Sequence, residues 1–462
     1  MTTLHVSRRS LAAAALLCST SIASAQDQPP SGPPLTLVQP AAPAGAPVTI
    51  TLQDALDRAR QNDSQFQTAV ADRDVAREDR AQARAALFPA VSYTTQYLGN
   101  SPNGVNPNGR FVSLDGVKMY RAWGVARQEL SPNVLMATPL RRAQALEAVA
   151  QAKLEIAQRG LTVTVTRSYY TLIATERKYA TAQAGAQQAA RFLQTTQEQQ
   201  RAGQVARSDV IKAEIQYQQQ QQSFRDALVA MDAARLALAV LLFPTLNENF
   251  TVVDDLTAAP VLPPFADVRT MAGRNNPDVQ AADEALRAAG HDVRAAKNAF
   301  LPTIAIDAVY GIEANEFALH SEVAAQPEFG VLPNLGYFLT VNLVVPVWDW
   351  GALRSKLHQS ETRRRRAEVT LSQTQRQLMA NLYSMYNEAL GAKSGMDALQ
   401  HVADLAAESL RLTLLRYQAG ESTALEVVDA QNTLVQARNA ADDAQVRYRV
   451  ALAQLQTLTG KF

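Results

Sequence analysis

The sequence predicts a mainly α-helical protein with a small β part, built as an internal tandem duplication. Three observations predict this. Gly and Pro number only 20 and 21 of 462 residues, below average usage, while Ala and Gln abound, so long uninterrupted helices are favoured. Aromatic residues make up 6% of the chain, too few for a large β-dominated protein. Markers recur in the same order about 215 residues apart: Asn62-Asp63-Ser64 with Asn276-Pro277-Asp278, Phe88-Pro89 with Leu301-Pro302, and Arg201-Ala202-Gly203 with Gln418-Ala419-Gly420. The chain therefore divides into two copies of one unit, 49–247 and 248–462. With 47% hydrophobic residues and 44 basic against 43 acidic side chains, it is neither disordered nor a polycation built for nucleic acid.

Residues 1–25 read as an export signal. Arg8 and Arg9 make a basic start, Ser10 to Leu17 an apolar core, and Ala23-Ser24-Ala25 an A-x-A cleavage site before Gln26. The short twin-arginine match at Ser7-Arg8-Arg9-Ser10-Leu11 leaves ordinary Sec export as the default. Cleavage removes two arginines, no acid and Cys18, so the mature chain is nearly neutral, with neither a disulfide nor a thiolate metal site. Leu16 and Leu17 are unsuited to lipoprotein processing at Cys18, and no lipid anchor is expected. Residues 26–48, rich in Pro and Ala, read as a flexible or polyproline II segment. No later stretch reaches 18 consecutive apolar residues. An exported chain of this kind is expected to be periplasmic or to enter the outer membrane through a β-barrel.

The helices carry heptads. In 423–459, Val427, Leu434, Ala441, Tyr448 and Leu455 are followed three residues later by Ala430, Ala437, Ala444, Ala451 and Leu458. In 207–242, Val210, Tyr217, Phe224, Met231 and Leu238 alternate in the same way with Ala213, Gln220, Ala227, Ala234 and Leu241. Large residues facing mostly alanine let helices approach closely in an antiparallel coiled coil. Leu154, Ala157, Leu161, Val165, Tyr169 and Leu172 extend the pattern upstream, and the chain from Leu140 to Leu242 lacks Pro, with one break at Ala202-Gly203. A helix of roughly 90 Å follows at 1.5 Å per residue.

Four strands interrupt the helices, near 88–99, 118–131, 301–313 and 335–348. Val91, Tyr93, Thr95 and Tyr97 alternate with Ser92, Thr94 and Gln96; Ile304, Ile306, Ala308 and Tyr310 form the matching face in the second copy. Tyr337, Leu339, Val341, Leu343 and Val345 repeat the pattern, with Thr340 and Asn342 opposite. The strand around Tyr120 to Leu130 alternates poorly, because Arg121, Arg127 and Glu129 share a parity with Trp123 and Val125. Either a bulge or a wet inner face accounts for it. The strands form two hairpins across long polar loops, Gly99–Gly116 and about 315–334. Four strands cannot close around a lumen, and unpaired edges are excluded from lipid, so several protomers must share one transmembrane barrel.

No enzyme constellation and no cofactor motif is present. His291, His320, His358 and His401 lack metal-ligand spacing, and there is no nucleophile elbow or phosphate-cradling glycine loop. Arg363 to Arg366 and Gln218 to Gln222 read as solvated helix faces rather than nucleic-acid motifs. Two other readings stay open at this stage. One is a soluble periplasmic coiled-coil scaffold or adaptor; the other is an ungated diffusion porin.

The chain resembles the TolC-like outer-membrane efflux protein family over essentially all of the mature sequence. The residues that carry the resemblance are Leu52-Gln53-Asp54-Ala55-Leu56 with Asn62, Ala86-Leu87-Phe88-Pro89, Ala299-Phe300-Leu301-Pro302, Val345-Pro346-Val347-Trp348-Asp349-Trp350-Gly351, and Tyr417-Gln418-Ala419-Gly420 leading into Leu425-Glu426-Val427-Val428-Asp429-Ala430-Gln431. The resemblance implies a homotrimer with four strands per protomer in one twelve-stranded barrel, above a periplasmic α-helical barrel. It implies a passive exit duct for a tripartite efflux pump or type I secretion system, with a periplasmic adaptor, an inner-membrane pump and outer-membrane lipid as partners. By position, it makes Asp209, Tyr417, Glu426 and Asp429 gate candidates, and the tips at Ala202, Gly203, Ala419 and Gly420 adaptor contacts. Glu426 also fits a capping box with Thr423. Ser422 stands where the best-known member of the family has an arginine, and Lys212 occupies the first-copy position matching Asp429.

Overall fold

The computed structural model describes residues 47–99, 118–245, 249–258, 260–314, 317–320 and 334–460. The expected export signal, the Pro/Ala-rich segment up to residue 46 and most of both hairpin loops lie outside the described residues.

The first copy runs β1 (Val48–Ile50), α1 (Leu52–Asn62), α2 (Ser64–Ala85), β2 (Ala90–Gly99), β3 (Lys118–Leu130), α3 (Pro132–Leu135), α4 (Thr138–Arg201) and α5 (Arg207–Leu242). The second runs β4 (Phe250–Val252), α6 (Phe265–Asn275), α7 (Pro277–Asn298), β5 (Thr303–Ala314), β6 (Leu335–Val344), α8 (Ala352–Gln418) and α9 (Ala424–Thr459). The order is duplicated element for element, apart from the one-turn α3. Thr51 caps α1, while Asp63 and Asn276, from the first marker pair, cap α2 and α7 by accepting from Phe66 and Val279 N–H. Helix α4 has 64 residues and α8 has 67, rods of about 96 and 100 Å.

The helices pack side by side in two levels. Near the sheet the order is α2, α4, α7, α8; at the far end it is α5, α4, α9, α8. Helix α9 thus lies between two neighbours, and its heptad residues Val427, Leu434, Ala441, Tyr448 and Leu455 are all buried. Helix α5 lies at an edge. Only Leu238 of its large seam residues is fully buried, while Ile211, Ile215, Val229 and Val240 are exposed.

Between the levels sits the main core. The parallel pair β1 and β4, which the sequence pattern does not reveal, packs with Val165, Tyr169, Leu172 and Leu238. Val48, read as the end of the Pro-rich segment, is already in that pair. The Tyr169 hydroxyl bonds the backbone of Ile50 and Val253, and Arg177 grips Asp254 twice at 2.7 Å while reaching Gln445 at 2.9 Å and Asp442 at 3.2 Å. These contacts fix the crossover between the two copies to both α4 and α9.

The four long strands form one antiparallel sheet, ordered β2-β3-β5-β6, with β2 and β6 as open edges. Strand β3 pairs continuously with β5 from Tyr120↔Ala314 to Leu130↔Ile304, which excludes the bulge. The sheet has one apolar face and one polar face. Tyr93, Tyr97, Tyr120, Ile306, Tyr310, Tyr337, Leu339 and Val341 share the first; Ser92, Thr94, Arg121, Arg127, Glu129, Asp307, Glu313 and Thr340 share the second. Arg121 pairs with Glu313 at 2.9 Å and Arg127 lies 3.7 Å from Asp307. The irregular strand is therefore regular in backbone and wet on one face. Strand β6 ends at Val344, short of the expected 348, where Pro346 lacks the N–H that would continue a ladder.

Candidate functional site

Two places hold the residues singled out from the sequence: the helical tips and the sheet. At the tips, α4 and α8 end alike. Gly203 and Gly420 have φ of +72° and +76°, a conformation that favours glycine. Gly203 N–H donates to Gln200 O at 3.0 Å and Gln204 N–H to Gln199 O at 2.8 Å; Gly420 N–H donates to Tyr417 O at 3.1 Å and Glu421 N–H to Arg416 O at 2.9 Å. Both are Schellman turns, so both hairpins reverse by the same backbone chemistry. Ala202 and Ala419 are the last right-handed residues before each glycine.

Tyr417 is buried, its ring 5.1 Å from Phe192. Its hydroxyl donates to Gln199 Oε1 at 2.8 Å and lies 3.4 Å from the Thr196 hydroxyl. That bond joins α8 to α4, one hairpin to the other. Farther from the tips, Asn432 Oδ1 accepts from Gln216 Nε2 at 2.8 Å and Gln220 Nε2 at 3.1 Å, joining α9 to α5. Both links are neutral hydrogen bonds of about 1 kcal/mol net each, well suited to a joint that opens without separating buried charges.

The three acids have different surroundings. Glu426 completes the capping box: Thr423 N–H donates to it at 3.3 Å, the Ser422 hydroxyl at 3.0 Å, and Arg416 lies 3.6 Å away. The bond from the Thr423 backbone, then that from Ser422, holds its pKa below the ordinary value. Asp209 lies in the first turn of α5, 3.7 Å from Lys212, so the lysine pairs within its own helix. Asp429 is exposed, and among the described residues its carboxylate has no partner. Gln220, in a run that reads from the sequence as a solvated face, is instead buried and bonded to Asn432, because α9 packs across from it. Phe192, Thr196, Gln199, Gln216 and Asn432 lie outside the large heptad positions, so no sequence pattern singles them out, and they acquire meaning only from the helix across from them.

On the polar sheet face, Arg121 lies 5.2 Å from the Trp123 ring, and Trp123 meets Phe338 edge-on at 6.1 Å. A separate cleft of about 640 Å³ lies among α1, α4 and α9, far along the chain from the tip residues, and Arg159 bonds the Thr457 carbonyl there at 2.8 Å. Among the described residues, no group of three or more His, Cys, Asp or Glu could hold a metal ion, and no helix is long and apolar enough to cross a membrane.

Residues 55–242 and 268–461 match the family model described as outer membrane efflux protein. The chain is 31% identical over 184 residues to the pyoverdine export outer membrane protein OpmQ of Pseudomonas putida, a match covering 39% of this chain and 35% of that protein. It is 23% identical to the outer membrane protein TolC of Vibrio cholerae, over 88% of this chain and 90% of TolC. Among solved structures, the open state of the MtrE outer membrane channel of Neisseria gonorrhoeae superposes with a TM-score of 0.72 at 22% identity, covering 88% of each chain.

Proposed function

The chain belongs to the outer membrane efflux protein family, and from that premise we propose that it is the passive exit duct of a tripartite efflux pump or type I secretion system. The sheet carries this reading: four strands with one apolar face, one polar face and two open edges. In lipid, β2 of one protomer must pair with β6 of the next, and three copies give twelve strands. The apolar face then meets lipid and the polar face lines the lumen. The exposed apolar face of α5 and the open side of α8 supply the contacts between protomers, placing the long rods around a periplasmic channel. Family members are channels rather than enzymes, and energy for transport comes from an inner-membrane pump reached through a periplasmic adaptor.

The adaptor meets the tips at Ala202, Gly203, Ala419 and Gly420, and the gate lies just beside them. Tyr417 acts as a latch between hairpins, Glu426 shapes the turn, and Asp209 with Asp429 sets a ring of negative charge that favours cations. The exported chain loses residues 1–25 and sits in the outer membrane without lipidation.

Single-channel recording of the purified protein tests this. A small cation-selective conductance that rises in Asp209→Ala and Asp429→Ala is expected; a large conductance indifferent to both points to an open porin, and no conductance to a soluble scaffold. Deleting either tip should abolish export, and intact export would overturn the adaptor placement.

A further inference from the structure

The duplication supplies an internal template for the open side of α8. Helices α4 and α8 are equivalent: each follows a residue in the left-handed region, Ala137 (φ +49°) and Gly351 (φ +84°), and each ends in the same glycine turn. Their surroundings differ. Helix α4 lies between the two copies, against α7 near the sheet and α9 farther along, whereas the corresponding side of α8 has no helix of its own chain packed on it. The helices equivalent to α7 and α9 are α2 and α5, and both stand at the opposite edge.

Two basic residues of α4 hold the second copy. Arg142 pairs with Asp292 of α7 at 2.5 Å. Arg159 donates to the carbonyl of Asn275, the last residue of α6, at 3.0 Å, and to that of Thr457, in the last turn of α9, at 2.8 Å. Such carbonyls have no partner within their helix and form the negative end of its dipole. Helix α8 carries a basic residue at both equivalent positions. Lys356 stands as far beyond Gly351 as Arg142 beyond Ala137, and Arg376 as far before Gly420 as Arg159 before Gly203. Both are exposed; among the described residues Lys356 has no side-chain partner, and Arg376 reaches only Gln373 of its own helix, at 3.4 Å.

The acceptors are duplicated too. Asp79, exposed and without a partner among the described residues, occupies the place in α2 that Asp292 occupies in α7. Asn62 ends α1 as Asn275 ends α6, and Val240 stands in the last turn of α5 as Thr457 does in α9. One bond confirms this correspondence: Asn62 Nδ2 donates to Leu242 O at 2.7 Å, and Asn275 Nδ2 to Thr459 O at 3.4 Å.

We propose that Lys356 and Arg376 bind a second copy of this chain, Lys356 pairing with Asp79 and Arg376 donating to the Asn62 and Val240 carbonyls of the adjacent protomer. The proposal rests on the shared barrel, which sets β6 of one protomer beside β2 of the next. Helix α8 follows β6 and α2 precedes β2, so closing the sheet brings these helices together. The joint between protomers then repeats the joint within each chain, and one contact geometry closes the ring.

The purified full-length protein tests this. Cys18 is the only cysteine and belongs to the expected export signal, so Asp79→Cys with Lys356→Cys reports without background. Within one chain α4 and α7 separate α2 from α8, and a short bis-maleimide cannot join them. Covalent dimers and trimers are expected from the double variant and from neither single one. A trimer that does not cross-link overturns the seam and leaves the shared barrel standing; a native chain that is monomeric in light scattering overturns both. Lys356→Asp and Asp79→Lys should each weaken the trimer about tenfold, as three modest pairs acting together would, and their combination should restore it. A double variant as weak as the single ones overturns the pair. Arg376→Gln should also weaken the trimer, and unchanged stability overturns that contact.

Discussion

Tyr417 and Glu426 come from a single stretch of sequence and do opposite work. Tyr417 is buried between hairpins, with its hydroxyl on Gln199, whereas Glu426 is exposed and serves its own turn. Tyr417→Phe keeps the contact with Phe192 and removes the bond to Gln199. If Tyr417 is the latch proposed above, this should cost the joined arrangement of the hairpins about 1 kcal/mol, a roughly fivefold shift toward opening, visible as increased channel open time without loss of helical signal. Glu426 makes the tip sensitive to acid. Its folded-state pKa is lowered, so the cap contributes fully above the ordinary carboxylate range, and that contribution is lost as pH falls through the lowered value. Protection of the amides around Thr423 to Val427, after division by the intrinsic exchange rate at each pH, should fall as the carboxylate is protonated in acid, and Glu426→Gln should remove that pH dependence. The capping box is local and legible from four residues. The Tyr417 bond spans more than two hundred residues of sequence, and no local pattern announces it.

At the scale of elements, the two heptad helices read alike and are buried unlike. Helix α9 has a neighbour on each side, while α5 has one neighbour for most of its length and presents Ile211 and Ile215 to its open side. If a second protomer covers that side, Ile215→Glu should shift the purified protein from trimer to monomer in light scattering while leaving the helical content of each chain intact. A trimer of unchanged stability would argue against this interface. Within α9, Gln431 is buried with neither side-chain amide atom hydrogen-bonded, beside a void of about 20 Å³. Gln431→Leu removes an unpaired polar group from the interior and should raise stability by about 1 kcal/mol, read as a higher melting temperature. The helix bounds were legible because the period is long and proline-free. Which seam would be covered was not, because burial depends on what packs on the far side.

The whole molecule is defined by a sheet that is incomplete in one chain. Register fixes which residues meet lipid: Leu339 points to the apolar face and Thr340 to the polar one. Leu339→Lys should cost about 2–4 kcal/mol near the membrane midplane and sharply reduce assembled protein in outer-membrane fractions, while Thr340→Lys should assemble normally. Equal assembly of the two variants would mean the faces are reversed or the sheet does not span lipid.

By itself the sequence determined the duplication, the long helices, the four strands and the sharing of a barrel between chains. Each follows from periodicity, or from the rule that backbone polar groups must be paired in lipid. Only the tertiary structure decided that β3 is unbulged, that β1 and β4 pair beneath Tyr169, that Tyr417 bonds Gln199, and that Trp123 shares a face with Arg121 and Phe338. Those features depend on cross-strand register and on which helix lies alongside which. Residues far apart along the chain acquire such relations only when packing brings their backbones together.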